Sequence, residues 1–112
     1  MKSISIVEDF KTNELTNRDK HQRDGTFTGV EFREKFLKEL NNEEGWKDDS
    51  TFAEIDFTNV TKLGPSWANE VFAYYTQFAK PDIILKKIKI KNLSRVKETI
   101  IEVELSKGYR GK

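Results

Sequence analysis

The chain has no cysteine, a single histidine and only two prolines in 112 residues. Without cysteine there is no disulfide scaffold, no thiol nucleophile and no thiolate-ligated zinc or iron–sulfur centre. One histidine, His21, makes a histidine-built metal site implausible. Net charge is also nearly absent, because 20 Lys+Arg stand against 19 Asp+Glu. That balance argues against a chain that is basic throughout and built for nucleic acid. No apolar run approaches the roughly 20 residues of a membrane span. The opening Met1–Val7 is too short an apolar run for a secretory leader, so a soluble, cytoplasmic domain is expected. What remains is one domain's worth of chain, residues 1–112, with 12% aromatic residues to fill a core.

The neutrality hides a polarity. Residues 1–79 carry a balance of −5 and residues 80–112 a balance of +6. Such asymmetry marks either a docking face or a well-solvated edge strand and helix. Three segments alternate with period two, as half-buried strands do. Ile4 and Ile6 oppose Ser3 and Ser5; Ala53, Ile55 and Phe57 oppose Phe52, Glu54 and Asp56; Ile88 and Ile90 oppose Lys87, Lys89 and Lys91. Three helices are expected between and after them. Thr28-Gly29-Val30-Glu31 has capping-box spacing, followed by Val30, Arg33, Phe36, Leu37 and Leu40 on one face. A second helix is expected from Ser66, after Gly64-Pro65, to Lys80-Pro81, with Trp67, Val71, Tyr74, Tyr75 and Phe78 as its apolar stripe. A third runs from about Ser94, with Val96, Ile100 and Val103 inward and Gly108 near its end. The alternation predicts an α/β fold with a small, mostly parallel sheet and helices mainly on one face. The polar stretch 8–27 is read as a hairpin, an added edge strand or a long surface loop.

Several residues could carry chemistry. Arg18, Arg23 and Arg33 with Asp24 could aim guanidinium forks at a phosphate or carboxylate, or form surface ion pairs. Asp56 closes a strand, where α/β folds gather ligands, or it caps the following loop. Glu70 is within helical reach of Ser66 and could orient it, bind a cation or compensate the helix dipole. Ser66 has no histidine or lysine base at motif spacing, and Gly64-Pro65-Ser66 is far short of a phosphate-binding loop. No catalytic residue, metal site or cofactor is expected, and the chain reads as a non-enzyme.

Arg18, the run Arg23-Asp24-Gly25-Thr26-Phe27-Thr28-Gly29-Val30-Glu31-Phe32-Arg33-Glu34-Lys35, Ile55-Asp56-Phe57 and Gly64-Pro65-Ser66-Trp67 with Glu70 and Phe72 together resemble one family. It is the bacterial STAS-like family of unknown function, related in fold to anti-anti-sigma factors, and the resemblance spans roughly residues 4–80. Val30, Trp67 and Thr58 depart from its usual pattern. The resemblance implies a regulatory protein-interaction module working by partner switching with a histidine-kinase-like ATPase. It places the phosphorylatable serine at Ser66, where an ordinary N-cap is the competing reading. Gly64, Arg18, Arg23, Asp24, Arg33, Asp56 and Glu70 are then partner- or ligand-contact candidates. A small-ligand or nucleotide sensor, with Arg18, Arg23, Arg33, Asp56 and Ser66 around one pocket, is the alternative. Nucleic-acid contact through Lys87, Lys89, Lys91, Lys107, Arg110 and Lys112 ranks last, because no stacking aromatics are interleaved.

Overall fold

The computed structural model describes residues 1–18 and 27–111. Its core is a three-stranded parallel sheet in the order β1 (Lys2–Ser5), β3 (Ala53–Asp56), β5 (Ile88–Lys91). Between the first two strands the chain makes a π turn at Ile6–Phe10 and a two-residue strand β2 (Glu14–Leu15). β2 pairs in parallel with β4 (Lys62–Leu63), which forms a second, smaller sheet. Within the stretch 8–27, residues 8–10 belong to the π turn and residues 14 and 15 to β2, in a sheet separate from the three-stranded one. Residues 19–26 lie outside the described residues.

The period-two pattern does what it promised. Ile4, Ala53, Ile55 and Ile88 are buried on one face, while Ser3 and Lys89 on the other are exposed. The helices therefore need to cover one face, and they pack there. α1 (Gly29–Phe36) starts at Thr28, whose hydroxyl accepts from the Glu31 amide at 3.1 Å. Burying Phe32, which meets Phe10, Phe36 and Trp67 at ring-centroid separations of 5.1, 4.9 and 5.2 Å, holds α1 to the core.

Three expectations need correction. The second helix is not continuous: α2 (Pro65–Val71) gives way at Phe72 to a 3₁₀ turn over Ala73–Gln77. Along that turn Tyr74 packs against Tyr109 and Tyr75 against Trp46. Pro81 does not merely end that helix. It occupies the first turn of another, α3 (Pro81–Lys87), with Asp82 at its start and Lys86 and Lys87 at its end, complementing the dipole. Lys87 therefore belongs to α3, and it is buried, donating to the Asp48 carboxylate and carbonyl at 2.9 Å each.

The third correction concerns α4 (Arg95–Lys107), capped by Ser94 at one end and by Gly108, at φ 81°, at the other. Val96 and Val103 do not face inward: they are 76% and 42% exposed. The buried stripe is Ile101, Glu104 and Leu105. An apolar-only reading rejects that stripe because it contains a glutamate. Its burial is possible only because other chain segments supply hydrogen bonds to it.

The two faces of α4 make unequal demands on stability. Ile101→Ala is expected to cost about 2–5 kcal/mol, the range for a truncated core isoleucine. Val96→Ala is expected to stay within about 0.5 kcal/mol. Urea unfolding of both variants checks this, and equal losses would contradict the observed face.

Candidate functional site

The polar residues that the sequence singled out divide between two places. One lies where α1 crosses α2. Gly29 opens α1 against Glu70 of α2, and a Cβ on Gly29 would stand 2.8 Å from the Glu70 Cβ. That close approach needs glycine. Just before the gap in the described chain, the Val30 amide donates to the Arg18 carbonyl at 3.0 Å, tying residue 18 to the start of α1.

Glu70 is 2% exposed. Its carboxylate accepts from Arg18 Nη1 at 2.9 Å and from Arg33 Nη2 at 2.5 Å. Arg33 Nε donates to the Glu70 backbone carbonyl at 3.2 Å, so one guanidinium grips both ends of the residue. Arg33 itself is buried and stacks over the Tyr74 ring, 3.6 Å from its centroid. Tyr109 OH donates to both Glu70 oxygens at 3.3 and 3.2 Å. Burial, and then the neighbouring Glu70 charge, raise the Tyr109 pKa, which keeps the phenol protonated as a donor.

A second carboxylate continues the network. Arg18 Nη2 donates to Asn69 Oδ1 at 2.8 Å, and Asn69 Nδ2 donates to Glu104 Oε1 at 3.1 Å. Arg110 Nη2 donates to Glu104 at 2.6 Å, and its backbone amide donates to Asn69 at 2.9 Å. Burial works to raise the Glu104 pKa. The hydrogen bond and charge of Arg110, with Asn69 and Lys107, outweigh it and hold the group below the ordinary carboxylate value. Arg18, Val30, Arg33, Glu70, Tyr109, Arg110 and Gly111 line a hollow of about 450 Å³.

The other place is the loop after β3. Asp56 Oδ1 accepts from the Thr58 amide at 2.9 Å, the Thr58 hydroxyl at 2.6 Å and Asn92 Nδ2 at 3.0 Å. The Thr58 hydroxyl bond, the Asn92 bond and the Thr58 amide lower the Asp56 pKa to about 2. Asp56 thus caps its own loop. Further along, the Thr61 amide and hydroxyl donate to the Asn13 carbonyl at 2.8 and 3.0 Å, and the Gly64 amide donates to the Leu15 carbonyl at 2.8 Å. Gly64, not Ser66, is the N-cap of α2, with Pro65 following. Ser66 is one residue further in and exposed, which removes the cap reading of that side chain.

The single pocket imagined around Arg18, Arg23, Arg33, Asp56 and Ser66 is therefore split. Arg18 and Arg33 meet at Glu70, whereas Asp56 lines a different hollow with Ser3, Ser5 and Lys91. Glu70 turns its carboxylate to the arginines, and no hydrogen bond joins it to Ser66. Arg23, Asp24 and His21 fall outside the described residues. Asn69, Glu104 and Tyr109 were missed as site residues, and Arg110 was named only as a nucleic-acid contact. A lone asparagine and glutamate on apolar helix faces were the available signal, since buried polar groups need partners. Among the described residues, no group of His, Cys, Asp or Glu could hold a metal ion.

Comparison with known families matches residues 28–98 to a STAS-like domain of unknown function. The matched region starts later and runs further than the stretch 4–80 that carries the resemblance in sequence. It contains Arg33, Asp56, Gly64, Ser66 and Glu70, while Arg18, Tyr109 and Arg110 lie on its flanks. No curated protein and no solved structure matches the chain.

Glu70→Gln would leave the Arg33 charge buried without its counterion and is expected to cost about 3–5 kcal/mol in chemical denaturation. A loss below about 1 kcal/mol would show that the ion cluster does not hold the helix crossing. Asp56 has a folded pKa below its unfolded one, so its stabilisation is present above pH about 4 and is lost as pH falls through about 2. The stability gap between the wild type and Asp56→Asn should accordingly shrink between pH about 5 and about 2. A gap independent of pH would contradict the capping role.

Proposed function

The chain belongs to the STAS-like domain family of unknown function, and from that premise we propose that it is a non-enzymatic regulatory module that docks a protein partner through the loop 58–66 and the start of α2. The observation that carries the reading is Ser66 itself. It is exposed at the second position of α2, and its hydroxyl has no hydrogen-bond partner among the described residues. A kinase needs a hydroxyl of that kind, reachable and not already committed.

The surroundings support docking. Thr58, Asn59, Thr61, Lys62, Pro65 and Ser66 are all exposed, yet the loop is held at Asp56, Asn13 and Leu15. Asn59 takes a left-handed turn conformation at φ 67°, which asparagine tolerates. A fixed loop loses little conformational entropy on binding, which favours recognition of its shape. Phosphate on Ser66 would add about −1.5 to −2 charge near a helix start, where the dipole accepts it. The phosphorylated domain would then keep its fold and change its surface. The partner best suited to such a switch is an ATPase of the histidine-kinase-like fold, acting as a serine kinase in the cytoplasm.

Incubation with ATP and that kinase, followed by intact-mass measurement, is the test. One added phosphate is expected, lost in Ser66→Ala. No added phosphate, or one that survives Ser66→Ala, would overturn the switch. Co-purification of the unphosphorylated domain with the kinase reads the docking half separately, and its absence would overturn that half.

A further inference from the structure

The hollow between α1, α2 and the segment after α4 has no part in the Ser66 reading, because Ser66 is not among its lining residues. Three of its seven lining residues are arginines, against one glutamate. Counting outward, the cluster holds Arg18, Arg33, Lys107 and Arg110 against Glu70 and Glu104. Exposed Glu34 approaches Arg33 Nη1 at 3.6 Å. Among the described residues a positive surplus remains even with Glu34 included. Ion networks whose work is only to join helices have no need of that surplus, since each added cation raises the repulsion among the rest.

The guanidiniums are also held in place before any ligand arrives. Arg33 is clamped by Glu70 and lies flat on Tyr74, and Arg18 is split between Glu70 and Asn69 beside the Tyr109 ring, 5.7 Å from its centroid. Arg110 sits at the rim with its side chain 49% exposed. Each guanidinium has five N–H donors. Hydrogen bonds to described residues use two on Arg18, two on Arg33 and one on Arg110. Fixed forks with donors in hand match the oxygens of a phosphate or carboxylate. The hollow, at about 450 Å³, exceeds what a bare ion needs and falls within the range of small-molecule sites. Val30 and the Tyr109 ring give it an apolar wall.

We infer that this hollow binds a small organic phosphate monoester, its phosphate held by Arg110 and the outward donors of Arg18 and Arg33, its body against Tyr109 and Val30. Glu70 does not compete for the phosphate. It is the internal counterion that keeps two arginines together at a spacing they would otherwise refuse. Arg110 is the adaptable member, since its backbone amide stays on Asn69 while its side chain can turn from Glu104 to the ligand; Lys107 remains on Glu104 at 3.5 Å.

Phenyl phosphate, titrated calorimetrically into the intact chain at constant ionic strength, is the probe, with inorganic phosphate in parallel. Saturable binding of phenyl phosphate, tighter than inorganic phosphate, is expected. Arg110→Ala, in which Glu104 is still met by Asn69 and Lys107 and whose fold is checked by circular dichroism, should weaken it by roughly tenfold or more, the loss expected for one charge-assisted hydrogen bond. Arg18→Lys keeps the charge, loses the fork and should also weaken binding. Lys91→Ala, a charge removed elsewhere, should leave it unchanged. Absence of saturable binding overturns the site, as does an equal effect of Arg110→Ala and Lys91→Ala. Inorganic phosphate binding as tightly as phenyl phosphate overturns the organic body. Ser66→Ala should bind phenyl phosphate as the wild type does, so failure here and failure of the Ser66 switch are read separately.

Discussion

A buried carboxylate, Glu70, sets the terms for the rest of the molecule. Removing it from water is costly unless cations meet it in good geometry. Arg33 comes from α1 and Arg18 from the segment before it, so meeting that demand fixes where α1 can lie on α2. Gly29 then follows as a steric necessity, because the helix start that delivers Arg33 runs against the Glu70 side chain. Tyr109 adds a donor from beyond α4 and draws that segment over the same crossing. Three parts of the chain far apart in sequence are registered by one residue. Apolar burial supplies most of the driving force around it, but it is non-directional and would tolerate other angles.

Much of the fold could be read directly, and the reasons are local. Ile4, Ile55 and Ile88 alternate with polar residues because one sheet face is solvated, and Thr28 followed by Glu31 announces a helix start through short-range hydrogen bonding. Errors came where tertiary contact overrides local pattern. Glu104 lies on the inward stripe of α4 because Asn69 and Arg110 meet it there, and neither is near it on the helix. α3 had its signals in Pro81, Asp82 and Lys86-Lys87, but the lysine alternation into β5 masked them. At the site, Arg18, Arg33 and Glu70 were named for their motif, yet their mutual contact was not legible at separations of 37 and 52 residues.

The charge polarity of the chain takes on a structural meaning. Lys89 and Lys91 line the solvated side of β5, an edge strand, and Lys91 approaches Glu54 of β3 at 3.9 Å. Those lysines keep a sheet edge soluble and apart from other sheets. Lys107 and Arg110 have a different use, since both converge on Glu104. The basic end of the chain therefore does several things: one group solvates an edge, another completes a cluster whose carboxylates come from α2 and α4, and Lys87 and Arg95 pair elsewhere. A count of charge along the sequence merges them.

α2 belongs to both candidate surfaces, and its seven residues separate them. Its first two residues, Pro65 and Ser66, are exposed, with Gly64 as the cap; its later residues, Asn69 and Glu70, are buried beneath arginines. A charge added at Ser66 breaks no bond of the cluster, although at one helical turn from Glu70 it lies within a Debye length of it. Conversely, a ligand drawing Arg110 away from Glu104 leaves the Gly64 cap and its bond to Leu15 untouched. Coupling through packing would require α2 to move as a body. Burial of Trp67, Ala68 and Val71 resists that, since a packed helix cannot shift without opening voids in the core. The two surfaces on one short helix are thus separate in their packing and hydrogen bonds, and only the field of a charge at Ser66 joins them.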